Sequence, residues 1–205
     1  MIFTVLKYFK MKNLLEYVPS VSAVIGRSII FLLLLWIPLT SLVANNVLED
    51  FKTQPDTRWR FISDAVMGGV STGELEFHHE DGDTYARMTG NVSTENNGGF
   101  IQFRMRLSSS LPKEVKGLRL LVRGNRQQYF VHLRTSGTFL PWQYYQAGFD
   151  VSEDWSEVLL PFDVFEASGT FLRRTPRPES LKSVGVVAFG REHAAQIDVS
   201  EVSYF

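Results

Sequence analysis

Apolar and polar side chains alternate along most of the chain after residue 46, and this pattern predicts short β-strands. In Phe100 to Leu107 every second residue from Ile101 onward is apolar, and Gln102, Arg104 and Arg106 lie between them. A period of two is typical of a half-buried strand, because successive side chains point to opposite faces. The same reading predicts further strands at 74–79, 84–92, 118–123, 129–134, 142–149, 156–160, 183–189 and 196–204.

Turn residues separate these strands, at Asp81-Gly82-Asp83, Arg123-Gly124-Asn125 and Ser136-Gly137. The Asn97-Gly98 step is expected to form a hairpin turn before the strand at Phe100. Residues 162–167 alone suggest a helical turn, and 168–180 resemble one long surface loop. About ten short strands at regular spacing predict an all-β sandwich of the jelly-roll type in a single domain, 47–205.

The first 44 residues are expected to act in export rather than in the fold. Ile29 to Ile37 contains no polar residue, Arg27 precedes this run, and Ala44 is a small residue suited to cleavage. The run is shorter than the roughly 20 residues of a membrane-spanning helix. A cleaved signal peptide and an uncleaved anchor helix both remain open. Either places the domain in the periplasm or elsewhere on the non-cytoplasmic side; a mitochondrial presequence fits less well because Glu16 is present.

Charge and composition narrow the possible functions. The chain has 21 Lys and Arg, 22 Asp and Glu, and no Cys. After residue 44 there remain 17 basic and 21 acidic side chains, a formal charge of −4. This acidity argues against nucleic-acid binding. The lack of Cys excludes disulfides, thiol chemistry and zinc–thiolate sites.

The sequence contains no recognisable catalytic set. His78 and His79 are adjacent on a predicted strand, so their side chains point to opposite faces and cannot hold one ion. No Gly-x-Ser-x-Gly elbow is present, and Asp81 with Asp83 is typical of a solvated turn rather than a calcium loop. We therefore expect a protein that is not an enzyme and that carries no metal or cofactor.

Two glycine pairs, Gly68-Gly69 and Gly98-Gly99, are predicted to be structural. Glycine serves where the backbone has a positive φ or approaches another group closely. Substitution of Gly69 or Gly98 by Val is expected to destabilise the fold strongly, through a forced backbone conformation.

These glycines lie in two motifs that together resemble a known family. The segments Trp59 to Ser71 (WRFISDAVMGGVS) and Asn96 to Arg104 (NNGGFIQFR) look like the hallmark pair of the complex I intermediate-associated protein 30 family, and 142–149, 155–165 and 184–186 agree with it. The resemblance covers about 47–205. It implies a galactose-binding-like jelly roll and, for mitochondrial members, a non-catalytic assembly factor for respiratory complex I.

The polar sides of the central strands offer a possible binding surface. If Gln102, Arg104, Arg106, Arg119, Arg123, His132 and Arg134 share one face, they form a basic stripe, with the rings of Trp142 and Tyr144 beside it. Rings and guanidinium groups suit a sugar, an anionic glycan or a partner's acidic segment. The alternative interpretation is that these residues form the solvent-exposed polar face that any sandwich sheet can have, without binding a ligand.

The leading hypothesis is a non-catalytic module that binds a protein partner outside the cytoplasm, in the manner of an assembly factor or chaperone, with membrane contact only through its N-terminal segment. The alternative is a carbohydrate-binding module. An enzyme acting through Asp64 or His132 is a third possibility. The candidate binding residues are Asp64, Asn97, Arg104, His132, Arg134, Trp142 and Tyr144.

Overall fold

A computed structural model describes residues 46–80 and 82–205, which form an all-β sandwich of two antiparallel sheets. The predicted all-β sandwich is therefore confirmed. The predicted signal or anchor segment, residues 1–44, lies outside the described residues. Within the described part of the chain, no helix is long and apolar enough to cross a membrane.

The first sheet has the strand order β3-β4-β12-β6-β9, and β1 pairs with β12 beside this path. Its strands are β1 (Val47–Glu49), β3 (Thr72–Glu80), β4 (Asp83–Val92), β6 (Gly117–Gly124), β9 (Ser156–Pro161) and β12 (His193–Tyr204).

The second sheet has the order β10-β8-β7-β11-β5-β2. Its strands are β2 (Trp59–Ser63), β5 (Phe100–Arg106), β7 (Gln128–Thr135), β8 (Tyr145–Asp150), β10 (Glu166–Ala167) and β11 (Leu181–Phe189). At its centre β11 lies between β5 and β7. Ser183 of β11 is in register with Arg106 on one side and Arg134 on the other.

The core lies between the two sheets. On β5 the inward residues Ile101, Phe103 and Met105 are buried, as the period of two predicts. Leu118, Leu120 and Val122 of β6 supply the facing layer from the first sheet. Burying this many large apolar side chains supplies the main driving force for folding, so the domain needs no disulfide.

Helical structure is short within the described residues, and the helix and turns named here belong to that part of the chain. The helix α1 (Pro55–Arg58) has Pro55 in its first turn, where a missing amide hydrogen costs nothing. Four 3₁₀ turns occupy Asp64–Met67, Glu95–Asn97, Phe162–Val164 and Pro178–Ser180. The third of these confirms only the first part of the helical turn predicted at 162–167, because Glu166–Ala167 form the strand β10. The sequence pattern did not predict the other helical turns.

The structure corrects two local predictions. The Asn97-Gly98 step is not a hairpin turn, because β4 and β5 belong to different sheets, and the chain crosses between them through the 3₁₀ turn Glu95–Asn97. The strand predicted from Trp142 begins only at Tyr145. Trp142 and Tyr144 therefore lie in the loop that leads into β8, not on the strand itself.

A ligand-binding groove on the second sheet

A groove of about 790 Å³ crosses the outer face of the second sheet. We call this surface the groove throughout. Its lining comes from the four strands β2, β5, β7 and β11 and from the loops on either side: Ile62, Val66, Met67, Phe100, Gln102, Arg104, His132, Arg134, Pro141, Trp142, Tyr144 and Phe189. A concave, largely apolar surface with a few polar groups is the usual form of a small-ligand site.

The groove has two opposite walls because the strand order places them there. The loop after β2 brings Val66 and Met67 to one side, and their exposed fractions are 74% and 63%. The loop before β8 brings Trp142 to the other side, with an exposed fraction of 67%. Large apolar side chains this exposed, grouped around one concave surface, are typical of a site that is covered by a ligand or partner.

The floor of the groove is aromatic at its centre. The ring of His132 stacks on that of Tyr144, with centroids 4.2 Å apart and planes at 12°. Phe189 meets His132 edge-on at 5.7 Å. Burial lowers the pKa of His132 to about 4, although its hydrogen bond to Gln146 opposes that shift. His132 is thus a neutral, packed ring at physiological pH, and its Nε2 lies 2.9 Å from Gln146 Oε1.

Arg134 connects the floor to the wall that carries Trp142. Its Nη2 donates hydrogen bonds to the carbonyl oxygens of Thr138 at 3.0 Å and Leu140 at 2.9 Å. The side chain of Gln143 closes the same loop, because its Oε1 accepts hydrogen bonds from the backbone of Phe139 and Leu140. The indole of Trp142 is therefore presented on a loop that side chains hold from within.

A second cavity of about 470 Å³ continues from the groove at the end of β5 and β7. Arg104 and Arg134 line both spaces, and Arg106 and Lys182 line the second. Burial lowers the pKa of Arg104, and the neighbouring Arg134 and Arg106 lower it further. The cavity therefore collects positive charge on a domain that is acidic as a whole.

Asp64 lies under the wall formed by Val66 and Met67 and is fully buried. Its Oδ2 accepts hydrogen bonds from Ser71 Oγ at 2.5 Å and from the amide of Gly99 at 2.6 Å, and its Oδ1 accepts one from the amide of Ser71 at 2.9 Å. Burial alone would raise the pKa of Asp64, but these hydrogen bonds outweigh it and lower the pKa. Both oxygens are occupied inside the domain and neither reaches the groove.

The four glycines surround this carboxylate. Gly68 and Gly99 have φ of +90° and +126°, in the region that favours glycine. Gly69 and Gly98 do not have positive φ. A Cβ on Gly69 would lie 2.3 Å from Asp64 Cγ, and one on Gly98 would lie 2.4 Å from Asp64 Oδ2. We expected that a forced backbone conformation would exclude larger residues at Gly69 and Gly98. That reason is wrong, because at both positions an added side chain would instead collide with Asp64.

The predicted basic stripe is divided between two surfaces. Gln102, Arg104, Arg106, His132 and Arg134 lie on the second sheet, as supposed. Arg119 and Arg123 lie on β6 in the first sheet, so the prediction that they share this face is wrong. Alternation shows which side of a strand a residue occupies, but not which sheet the strand joins.

Of the candidate residues, five line the groove together: Arg104, His132, Arg134, Trp142 and Tyr144. Asp64 lies beneath it, and Asn97 is exposed in the turn before Gly98. The sequence reading missed the groove's apolar members, among them Phe100, Phe189 and Ile62. A signal was present: these residues occupy strand positions where alternation calls for a polar side chain, and an apolar residue there marks a covered outer face.

Among residues 46–80 and 82–205, those that line the groove include no Asp or Glu. In the described part of the chain, no three His, Asp or Glu side chains lie close enough together to hold a metal ion.

Solved structures with the same architecture include carbohydrate-binding modules. The family 11 carbohydrate-binding module of cellulosomal cellulase Lic26A-Cel5E of Clostridium thermocellum superposes with a TM-score of 0.63 at 10% identity, over 80% of this chain and 96% of that one. The Clostridium thermocellum family 11 module in complex with a β-1,3-1,4-mixed-linked tetrasaccharide gives 0.63 and 10%, over 78% and 94%. An exo-β-agarase gives 0.55 and 6%, over 78% of this chain and 25% of that one. At these identities the likeness establishes the fold alone.

Sequence comparison gives a family. No curated protein sequence matches the chain significantly. The family model described as complex I intermediate-associated protein 30 matches residues 49–198, and this range contains both glycine motifs, all of the groove and most of the sandwich. The chain therefore belongs to the complex I intermediate-associated protein 30 family.

Proposed function

We propose that this chain is a non-catalytic carbohydrate-binding module that holds a glycan in the groove of its second sheet. The observation that carries the proposal is the exposed indole of Trp142 beside Tyr144, at the wall of a groove about 790 Å³ in volume. Exposed flat rings in a concave site match the apolar faces of sugar rings.

Polar groups complete the site. Gln102, Arg104 and Arg134 line the same groove, so amide and guanidinium donors stand next to the rings. Sugar hydroxyls accept and donate hydrogen bonds, and guanidinium groups provide several donors in a fixed geometry. The combination of stacking surface and nearby donors supports binding of a glycan chain along the groove.

The groove is suited to holding a ligand rather than to transforming it. His132 has a pKa lowered to about 4 by burial, and its Nε2 is bonded to Gln146. Both oxygens of the Asp64 carboxylate already accept hydrogen bonds, from the amides of Ser71 and Gly99 and from Ser71 Oγ. Neither candidate of the enzyme hypothesis therefore presents a free acid or base to the groove.

The structural likeness is consistent with this proposal. The Clostridium thermocellum family 11 module shares the sandwich over 94% of its length and was solved with a mixed-linked tetrasaccharide. The same two-sheet framework can thus present a sugar site, although at 10% identity no individual contact carries over.

Affinity electrophoresis and calorimetry of the purified full chain against a panel of soluble polysaccharides test the proposal. We expect retardation by at least one glycan. Trp142→Ala should weaken that binding by at least tenfold, because it removes the exposed stacking surface. Leu159→Ala is the matched control, since Leu159 is an exposed apolar residue on the outer side of the first sheet. Absence of binding to every glycan, neutral or charged, would overturn the proposal.

A protein partner is the second candidate. It is supported by the exposed apolar side chains of Val66 and Met67 on one wall of the groove, which suit a protein surface better than a sugar. The description of the family, as a complex I intermediate-associated protein, points the same way. A photo-crosslinking residue at position 67 should capture one stoichiometric protein in intact cells if this candidate is right, and the same residue at position 159 should not.

We also propose that the module works outside the cytoplasm, on the strength of the apolar run from Ile29 to Ile37 and of Arg27 before it. A fusion of residues 1–60 to alkaline phosphatase, which is active only after export, should be active. A fusion that begins at residue 46 should be inactive. Equal activity of the two fusions would remove this part of the proposal.

A further inference from the structure

We propose that the basic end of the groove binds the acidic groups of an anionic glycan. The basic end is defined here by Arg104, Arg106, Arg134 and Lys182, which line the cavity of about 470 Å³. The inference rests on the proposed function and narrows its ligand from glycans in general to those that carry carboxylate or sulfate groups.

The first support is geometric. Arg106 on β5 and Arg134 on β7 lie on either side of Ser183 of the central strand β11, in register with it. Because Ser183 is small and buried, the floor between the two arginines stays open. Guanidinium groups from the two strands that flank β11 thus line one recess. Each guanidinium group can bind a carboxylate or sulfate through paired hydrogen bonds.

The second support is the lack of carboxylate partners for the four cations among the described residues. On the first sheet, Arg87 and Arg123 are both bonded to Asp198, and Arg119 is bonded to Glu157 and Glu201. By contrast, across residues 46–80 and 82–205 no carboxylate forms an ion pair with any of the four cations at the basic end. The two sheets carry similar arginines, but only those on the first are neutralised inside the domain.

The third support is electrostatic. Arg104 is partly buried close to two other arginines, Arg134 and Arg106. Burial and the charges of these two arginines lower its pKa. Bringing like charges together costs free energy, and a bound anion would recover that cost. The basic end is therefore arranged to favour a negative group that the protein does not itself provide.

Continuity with the groove selects a glycan over an acidic peptide. Arg104 and Arg134 line both spaces, so one ligand can place a sugar ring against Trp142 and Tyr144 and an acidic group at the basic end. Polyuronates and sulfated glycans carry such groups on the sugar ring itself. Polyglutamate shares the charge but has no ring to stack, so it separates the two contributions.

The experiment compares five probes with the full chain: polygalacturonate, alginate, heparin, neutral β-1,3-1,4-glucan and polyglutamate. We expect at least one of the first three to bind at least tenfold more tightly than the neutral glucan and polyglutamate. Arg104→Gln and Arg106→Gln should each weaken that binding about tenfold or more, as loss of a hydrogen bond to a charged group does. Binding of the polyuronates indicates that a carboxylate is recognised. Heparin carries both carboxylate and sulfate groups, so binding of heparin without binding of the polyuronates indicates that sulfate is required.

Arg126→Gln is the matched control, because Arg126 is exposed, lies beyond the opposite end of β7 and lines neither space, and its ion pair in the described part of the chain is with Glu153. It should leave anionic-glycan binding unchanged. Tight binding of the neutral glucan that is insensitive to Arg104→Gln would overturn this inference and leave the proposed function standing. Equal binding of polyglutamate and the anionic glycans would also overturn it. If no glycan binds, the proposed function fails as well.

Discussion

Close packing around the carboxylate of Asp64 restricts the neighbouring positions 69 and 98 to glycine. The carboxylate ties the loop after β2 to the beginning of β5 through the amides of Ser71 and Gly99. Gly69 and Gly98 leave room for it, since a Cβ on either would lie within 2.4 Å of a carboxylate atom. Contacts that short are not tolerated, so the carboxylate or the backbone would have to move.

Gly69→Ala and Gly98→Ala are therefore each expected to lower the free energy of unfolding by about 2 kcal/mol or more, through overpacking and loss of hydrogen bonds to Asp64. Urea denaturation of each variant measures this. Gly169→Ala is the matched control, because a Cβ at Gly169 meets nothing within 4 Å. It should change the free energy by no more than about 0.5 kcal/mol. Equal stability of all three variants would contradict the role assigned to Asp64.

His132 should make stability depend on pH in a defined interval. Burial lowers its pKa to about 4 in the folded domain, against 6.5 for an exposed imidazole. Between these values the unfolded chain binds more protons, so the free energy of unfolding falls as the pH drops from about 6.5 towards 4. His132→Gln should show a smaller fall over this interval.

Denaturant titrations at several pH values give the comparison, and an NMR titration of the His132 ring gives its pKa directly. Other ionisable groups contribute equally to both proteins and cancel in the difference. A His132 signal that titrates near 6.5 would show that the ring is not packed as described.

At the scale of the elements, one buried carboxylate joins the two sheets. Glu49 ends β1 of the first sheet and has an exposed fraction of 2%. It accepts hydrogen bonds from Arg58 Nε at 2.9 Å and from Trp59 Nε1 at 3.0 Å, and Trp59 begins β2 of the second sheet. The short helix α1 thus connects two strands that a single side chain holds in place.

Glu49→Gln is expected to cost about 3 kcal/mol in the free energy of unfolding, because it leaves Arg58 without its partner and upsets the donors to both oxygens. Chemical denaturation measures the change. Glu153→Gln serves as the matched control, since the exposed pair of Glu153 with Arg126 should contribute less than about 1 kcal/mol. Similar losses in the two variants would mean that β1 is not anchored in this way.

The β-strands were predictable from sequence where one of their two faces is polar and exposed to solvent. The predicted strand from Phe100 to Leu107 differs from β5 by one residue, because its outward positions are mostly polar. In contrast, β2 escaped prediction. Trp59 and Phe61 pack towards the core and Arg60 between them is exposed, as alternation requires. The next outward residue, Ile62, is apolar because it lines the groove, and it interrupts the alternation. The two-residue β10 is too short to leave any pattern.

At the scale of the whole molecule, the fold followed from the sequence but the site followed only in part. Alternation placed Arg104 on the polar side of its strand, and Trp142 and Tyr144 were singled out as flat rings two residues apart; all three line the groove. The assembly of the groove depends on strand order, which places β11 between β5 and β7 and leaves β6 in the other sheet. Local patterns do not encode such long-range pairing, and this is why Arg119 and Arg123 were assigned to the wrong face.

Asp64 has a consequence for anyone who maps this protein by genetics. The carboxylate of Asp64 holds the loop that presents Val66 and Met67, through its hydrogen bond with the amide of Ser71. Asp64 is nevertheless fully buried, and neither it nor Gly69 or Gly98 lines the groove. Random mutagenesis scored by lost binding should recover these positions as prominent hits. Such hits would suggest that these buried residues contact the ligand, although they only support the groove wall. Measuring the abundance of each variant in parallel would separate loss of stability from loss of ligand contacts.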